Sequence, residues 1–425
     1  MKKNLFLYDL AIVAILKNEG HYLKEWLDYH LLAGVDHFYL YDNDSADDYN
    51  AIIAPYVAAG LVTSEKISGG SAQYAAYNFA VRDYRFLCRR VAFIDLDEFL
   101  YPKNTTDTLP AVLDAVMKNF PDAAGLAVNW QIFGSNGQDK ADYSRGVLER
   151  FTRRAPVDWV VPIPHRDIPG GNAQIKTVAN PRRISFFGSS HCPIYFEGCY
   201  SVNEAGGQVE SYCNEPVTAE KIALNHYNVK SREEHGTKVA RGRADKGGVR
   251  SADTGANCID DSWFDMYDRN EVFDDGILRY CAARAENFSL EDDAQRLARV
   301  RAALTKTLTA YAEDALSDLE TALTCLAASK YLRGNFPNDE RLKIYEEASL
   351  AAVLKSLDGL KFSDVRLLLS ELPNLLSLPY PVTDDLRGAV IQIISRTMDF
   401  MRENEFWTDF AEMNDLRRLL KIFRR

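Results

Sequence analysis

From residue 11 to residue 100 the sequence alternates between a strand period and a helix period, and its apolar strand-like runs end in polar clusters. AIVAIL (11–16) leads into Lys17-Asn18-Glu19, HFYLYD (37–42) into Asn43-Asp44-Ser45, and RVAFIDLDEFL (90–100) carries Asp95-Leu96-Asp97. Between them Leu23, Trp26, Leu27, His30 and Leu31 recur at helical spacing and Gly34 closes the helix. Residues 51–59 and 73–85 read as two more helices, and LVTSEKI (61–67) as a further strand. Strands separated by helices form a parallel sheet with right-handed crossovers. Such sheets bind ligands beyond the carboxyl ends of their strands. Packing alone gives no reason for three polar clusters at three strand ends. The pattern therefore predicts an α/β, Rossmann-like half over residues 1–125 with its site at those ends.

Residues 126–288 are rich in aromatics, Gly and Pro and predict short strands with long connections, completing one domain over 1–288. Beyond Ser289 the texture becomes helical. Leu297, Leu304, Leu308 and Tyr311, then Leu316, Leu319, Leu323 and Leu326, form stripes, with breaks at Pro337, Pro373, Pro379 and Pro381. Ser289-Leu290-Glu291-Asp292 has the look of a capping box with Asp in the last place. An all-α domain over 289–425 is expected. Its end, Asp415 to Arg425, sets Leu416, Leu419, Leu420 and Phe423 among five cations. Such a helix either packs on its neighbours or lies on an anionic membrane surface. A peripheral membrane contact or a homo-oligomer is the expected role of the tail.

Composition narrows the function. With 47% apolar and 26% charged residues the chain is an ordinary globular one. Its 50 basic against 61 acidic residues give a net charge of −11, which argues against nucleic acid as a partner. Seven cysteines without a C-x-x-C pair fit neither a disulfide framework nor a zinc site and point to a reducing compartment. Lys2 and Lys3 precede the apolar stretch from Leu5 to Leu16, but Asp9 interrupts it and no small-residue cleavage site follows, so a strand is the better reading than a signal peptide. The expected location is cytoplasmic, or peripheral at the inner face of the membrane.

Asp95 and Asp97 carry the most chemistry. On a strand, residues i and i+2 share a face, so the two carboxylates would converge on a hard cation, Mg²⁺ or Mn²⁺. Such an ion neutralises a departing diphosphate. A phosphatase of the haloacid-dehalogenase type also uses D-x-D-x-[TV], but Phe99 stands at the fifth position here.

The segments KNEGHYLKEWLDYHLLAGVDHFYLYDNDS (17–45), SAQYAAYNFAVRDYR (71–85) and VAFIDLDEFLYP (91–102) resemble glycosyltransferase family 92 and related family-2-like bacterial proteins. NWQIFGSNG (129–137), KTVANPRRI (176–184) and LNHYNVKSREEHGTKVARG (224–242) agree in order. The resemblance spans roughly residues 10–285. It implies a GT-A fold with a mixed, mainly parallel sheet, and an enzyme moving a sugar from a nucleotide-sugar donor, a UDP-sugar favoured, to a glycan or glycolipid hydroxyl, with inversion.

Carried over by residue, Lys17, Asn18, Glu19, Asp42, Asp44 and Asn78 would lie by the nucleoside. Asp95 and Asp97 would hold the metal, with His226 as third ligand or His191 in its stead. Trp130, Gly134, Ser135, Lys176, Lys230, Lys238 and Arg241 would face the donor sugar and diphosphate. The Q-x-x-R-W motif and Glu-Asp base pair of family 2 are absent, since Gln295-Arg296-Leu297-Ala298-Arg299 lacks the Trp. Asp167 and Glu197 are candidate bases by position between the D-x-D and the late His. A nucleotide-sugar-binding scaffold without turnover is the rival reading.

Overall fold

The computed structural model describes residues 2–69, 72–162, 169–241, 261–286, 288–312, 318–357, 367–368 and 384–403. It divides into two compact units: Tyr8–Val81 with Arg90–Glu291, and Met1–Leu7 with Arg82–Arg89 and Asp292–Arg425.

The first unit is an α/β fold around a mixed, mainly parallel sheet. Its opening elements are β1 (Tyr8–Leu16), α1 (Gly20–Leu32), β2 (His37–Asp42), α2 (Tyr49–Ala58), β3 (Val62–Lys66), α3 (Ala72–Tyr84), β4 (Cys88–Phe93), β5 (Glu98–Pro102), α4 (Leu109–Met117) and β6 (Ala123–Ile132). Later come α5 (Val147–Arg150), β7 (Ile175–Ala179), β8 (Tyr200–Val202), β9 (Gln208–Val209), β10 (Ile222–His226), α6 (Arg232–Arg241), α7 (Asp261–Tyr267) and α8 (Gly276–Ala285). Among the described residues the sheet has ten strands, ordered β9-β8-β6-β7-β4-β1-β2-β3, while β10 pairs with β5 and β6. Both sheet faces are covered, so β1 and β2 read as nearly unbroken apolar runs, as parallel strands buried on two sides do.

Helix α1 packs on the sheet through Leu23, Trp26, Leu27 and His30, all fully buried. His30 is a core residue with both ring nitrogens used. Nδ1 lies 2.9 Å from the Trp26 carbonyl, and Nε2 accepts from Leu100 N at 3.3 Å. That pattern requires the neutral ring, and burial pushes the imidazole pKa down to about 3.

One expectation fails here. The strand expected over 90–100 is broken, because β4 ends at Phe93 and β5 starts at Glu98. Residues 94–97 make a turn closed by Glu98 N donating to Asp95 O at 3.1 Å, while the Glu98 carboxyl accepts from Asp95 N at 2.8 Å. Asp95 and Asp97 therefore do not share a strand face.

The second unit contains α9 (Asp293–Ala312), α10 (Leu319–Asn335), α11 (Glu340–Ser356) and α12 (Asp384–Glu403). Val300, Leu304, Leu308, Leu323, Leu326 and Leu332 are buried within it. The cap of α9 falls later than expected. Asp292 Oδ1 accepts from Gln295 N at 2.8 Å and Gln295 Oε1 accepts from Asp292 N at 3.1 Å, a reciprocal box in place of one at Ser289. Arg299 donates to the Phe6 and Leu7 carbonyls at 2.9 and 3.0 Å, so the first residues belong to this unit. The Asp415–Arg425 segment lies outside the described residues, as do Pro373, Pro379, Pro381 and Leu316. No helix among the described residues is long and apolar enough to cross a membrane.

Candidate active site

The parallel register of β1 with β2 sets Leu16 beside Asp42, so the loops that follow them are neighbours. Asn18 N donates to Ser45 Oγ at 3.0 Å, Ala46 N donates to Asn18 Oδ1 at 2.7 Å, and Gly20 N donates to Asp47 Oδ2 at 2.8 Å. Asp42 closes a turn by accepting from Ser45 N at 2.9 Å, and Asp44 accepts from Ser68 Oγ at 2.8 Å. Asn18 and Asp44 have left-handed backbones, φ 52° and 56°. Asn and Asp tolerate that conformation best among residues with a Cβ. Arg241 ties α6 to this corner, 2.7 Å from Glu19 Oε1 and 2.9 Å from the Lys17 carbonyl.

The two aspartates of the D-x-D face different neighbours. Asp95, with about a third of its side chain exposed, accepts from Gln73 Nε2 at 2.6 Å and from Lys176 Nζ at 2.9 Å. Asp97 is buried and lies 2.6 Å from Lys238 Nζ, 3.9 Å from Lys230 Nζ and 3.5 Å from His226 Nε2. The β10 ladder explains the last contact. His226 pairs with Glu98 on one side and with Ile132 on the other, and Tyr227 N donates to the Asp97 carbonyl at 2.8 Å.

Electrostatics separates the roles. Burial would raise the Asp97 carboxyl, but Lys238, His226 and Lys230 outweigh it and hold the group well below the usual carboxylate range. Burial lowers the His226 imidazole against the pull of Asp97, which keeps the ring neutral. Burial also lowers Lys230 to about 8, with Asp97 opposing. Lys230 has φ 55°, an uncommon conformation for a lysine, held here by burial and by its ammonium lying 4.6 Å over the Tyr22 ring.

A neutral imidazole and an ionised carboxylate 3.5 Å apart suit two neighbouring positions on one divalent cation. His226 Nδ1 has no hydrogen-bond partner among the described residues, and Nε2 is the nitrogen turned to Asp97. An imidazole nitrogen beside a carboxylate oxygen is a donor pair open to Mn²⁺ and less suited to Mg²⁺, which takes oxygen ligands. No three His, Cys, Asp or Glu among the described residues form a cage by themselves. Ions of this kind keep several waters or phosphate oxygens as ligands.

Other expected residues sit elsewhere or are engaged with the protein. Asn78 clamps the backbone: Nδ2 donates to the Tyr74 and Phe187 carbonyls and Oδ1 accepts from Phe187 N at 2.8 Å. Its amide holds the backbone at Phe187. Gly134 is small because a Cβ would strike the Arg269 carbonyl, and Ser135 N donates to Asp268 Oδ1 at 2.6 Å. This turn is held against the Asp268–Asn270 segment. Lys176 donates to Asp95 and to the Ser190 carbonyl, so it positions a carboxylate. Trp130 packs on His226, ring centres 4.2 Å apart, with His191 at 5.3 Å on the same indole. His191 Nδ1 lies 3.0 Å from the Ile175 carbonyl.

Glu197 is misplaced for a base. It precedes β8, whose Tyr200 pairs with Ala123 at the start of β6, whereas Trp130 and Ile132 lie at the far end. That separation is on the order of 20 Å along the strand. Asp167 lies outside the described residues.

Several functional neighbours were not expected from the sequence. Glu98 is fully buried behind Asp95, its carboxyl raised well above the usual range by burial despite Lys176 at 3.9 Å. Arg150 and Glu234 form a two-pronged buried pair at 2.8 Å, joined by Tyr22 OH at 2.9 Å. Arg150 and Glu234 lie 84 residues apart and the lysine facing Glu98 comes from β7, so no spacing rule finds either contact.

The pattern that defines glycosyltransferase family 92 matches residues 13–244, more than half of the chain. A glycosyltransferase family 92 protein of Ricinus communis is 30% identical over 174 residues, 41% of this chain and 30% of that protein. Family 92 proteins of Oryza sativa subsp. japonica and Arabidopsis thaliana are 29% and 27% identical over 35% and 36% of this chain. These two matches span 25% and 28% of the relatives' own lengths, so the chain aligns with under a third of each protein. The D-x-D turn, the nucleotide-side loops and the His226 ladder all fall inside the matched segment. The chain belongs to glycosyltransferase family 92.

Proposed function

We propose that this chain is a metal-dependent glycosyltransferase. It takes a nucleotide-sugar donor, a UDP-sugar favoured, and passes the sugar with inversion to a hydroxyl of a glycan or glycolipid. The observation that carries this reading is Asp97, kept ionised in a buried setting by Lys238 and Lys230 and facing the neutral His226. Two lysines stand against this carboxylate, beside an imidazole whose Nδ1 has no partner among the described residues.

Asp97 and His226 would hold Mn²⁺ or Mg²⁺, which when bound supplies charge neutralisation for the diphosphate. Lys238, whose side chain is a fifth exposed, and the deeper Lys230 offer ammonium groups to diphosphate oxygens next to it. Arg241 fixes the Lys17-Asn18-Glu19 loop, which together with Asp42 and Asp44 forms the nucleoside side. Gln73 and Lys176 orient Asp95 at the mouth, where its exposed third is open to ligand.

The test is hydrolysis of UDP-, GDP- and dTDP-sugars with and without Mn²⁺, on parent and Asp97→Asn. Metal-dependent turnover by the parent that drops about 10²–10³-fold in the variant is the expected result. Equal turnover in both, or none with any donor, overturns the reading. In a second arm Mn²⁺ is titrated against parent and His226→Ala with nucleoside diphosphate present. Unchanged affinity in the variant removes His226 from the metal.

A further inference from the structure

A cavity of about 540 Å³ opens between α1, α5 and α8. Nothing in the functional reading so far uses it. Its floor is Tyr22 and Arg150, the two groups that meet Glu234 in the buried pair. Its rim is aromatic: His21 and Tyr143 stack with ring centres 4.2 Å apart and planes 18° from parallel, and Tyr143 is 48% exposed. The cavity lies next to the candidate donor site: the Tyr22 ring that lines it also carries the buried Lys230, which lies 3.9 Å from Asp97.

We propose that this groove is the acceptor subsite and takes a neutral oligosaccharide, a reading that rests on the chain being a glycosyltransferase. Three features select that ligand. An exposed aromatic face suits the C–H face of a pyranose, and a Tyr adds a hydroxyl for its rim. Lys24 pairs with Asp28, Arg145 with Glu149 and Arg150 with Glu234, while Glu25 caps backbone amides, so the groove is rich in hydrogen-bonding groups and each of its cations is matched by a carboxylate. A polyanion or a lipid headgroup would find no surplus cation, and a lipid tail would meet too many polar groups. The wall is also preformed. Glu25 accepts from Val147 N at 2.6 Å and Leu148 N at 3.1 Å, and Gly146 leaves the room for it, since a Cβ there would strike the Glu25 carboxyl. The volume lies in the range of small-ligand sites.

The location accounts for an acceptor specifically. On the glycosyltransferase reading the loops after β1 and β2 take the nucleoside and Lys230 and Lys238 the diphosphate, and the Tyr22 wall beside Lys230 is an approach that neither uses.

The probe is an array of neutral gluco-, galacto-, manno- and xylo-oligosaccharides, with sulfated and uronic oligosaccharides as the acidic set. Parent is expected to bind members of the neutral set. Tyr143→Ala should weaken that binding about tenfold while Tyr143→Phe retains it, and Arg145→Ala should act in the direction of Tyr143→Ala. Hydrolysis of the nucleotide-sugar donor by the parent, read in parallel, tests the glycosyltransferase reading by itself. No binding to the neutral set, preference for the acidic set, or unchanged binding in Tyr143→Ala overturns the assignment. Absence of donor hydrolysis in the parent instead counts against the glycosyltransferase reading, and leaves glycan binding and its loss in Tyr143→Ala to be judged separately.

Discussion

The Lys238 ammonium sits 2.6 Å from Asp97 Oδ2 across 141 residues of sequence. It is held there by two further hydrogen bonds, to the Asn228 carbonyl at 3.0 Å and its side-chain oxygen at 2.7 Å. The same carboxylate also steadies Lys230, which is fully buried. Removing Asp97 therefore does two things at once. Asp97→Asn should abolish most turnover and also lower stability by about 3–5 kcal/mol, the typical cost of leaving a buried charge without its partner. Asp95→Asn strands a charge as well, because its partner Lys176 is 1% exposed and would keep only Glu98, at 3.9 Å, as a charged partner, so it should lose both activity and stability. Thermal unfolding of both variants beside donor hydrolysis checks this; a variant that keeps the parent's unfolding midpoint would show that its lysine finds another partner.

Arg150 and Glu234 are each 1% exposed, and Glu234 opens the helix that bears Lys238 and Arg241. Arg150→Met should cost about 3–5 kcal/mol by stranding the Glu234 carboxylate, whereas Arg150→Met with Glu234→Leu should recover a good part of it. Denaturant midpoints of the single and double variants give the coupling. A double variant as unstable as the sum of the singles would mean the pair does not act as a unit.

His30 predicts a pH dependence of stability. Its folded pKa is about 3 against 6.5 for the free side chain. Between those values the unfolded chain binds the proton and the folded one does not. Stability is therefore complete above about pH 6.5 and falls as pH drops below it, by about 1.4 kcal/mol per unit for this one group. Unfolding midpoints of parent and His30→Gln from pH 7.5 to 5 should show the variant less stable at neutral pH but with a shallower slope. Parallel curves would remove His30 from the acid response.

A chain cut after Glu291 keeps every site residue named above. It also removes α9, against which the 3₁₀ turn Lys2–Leu5 packs, and with it the Arg299 bonds to Phe6 and Leu7. The cut protein should still bind nucleoside diphosphate in Mn²⁺ but bind a hydrophobic dye and sediment as larger species. A monomer without dye binding would show that Leu5 and Leu7, each 1% exposed in the full chain, find other cover.

Much of this was legible in the residues because strand and helix periods are local. β1, α1, β2 and α3 begin and end within a few residues of where their apolar spacing puts them, and the polar clusters do stand at the ends of β1 and β2. The turn at 94–97 was not legible. Ile94 and Leu96 are both buried, so the apolar pattern runs straight through it, and what ends the strand is the Glu98 carboxyl capturing Asp95 N. Partner choice was equally hidden. Lys176 reaches Asp95 across 81 residues and Asn78 holds Phe187 across 109, separations that only the strand order resolves. A short motif names the chemistry of Asp95 and Asp97 but not which cation each one meets.

Arg299 grips the carbonyl of Phe6 across 293 residues, and this imposes an order in time on synthesis. At about 5–20 residues per second, Leu5 and Leu7 leave the ribosome roughly 15–60 s before the helix that covers them exists. β1 begins one residue after Leu7, so the central sheet can be assembled while its leading segment is still bare. Over that interval Leu5 and Leu7 lack the cover they have in the folded chain, and burial of this segment waits on translation of α9.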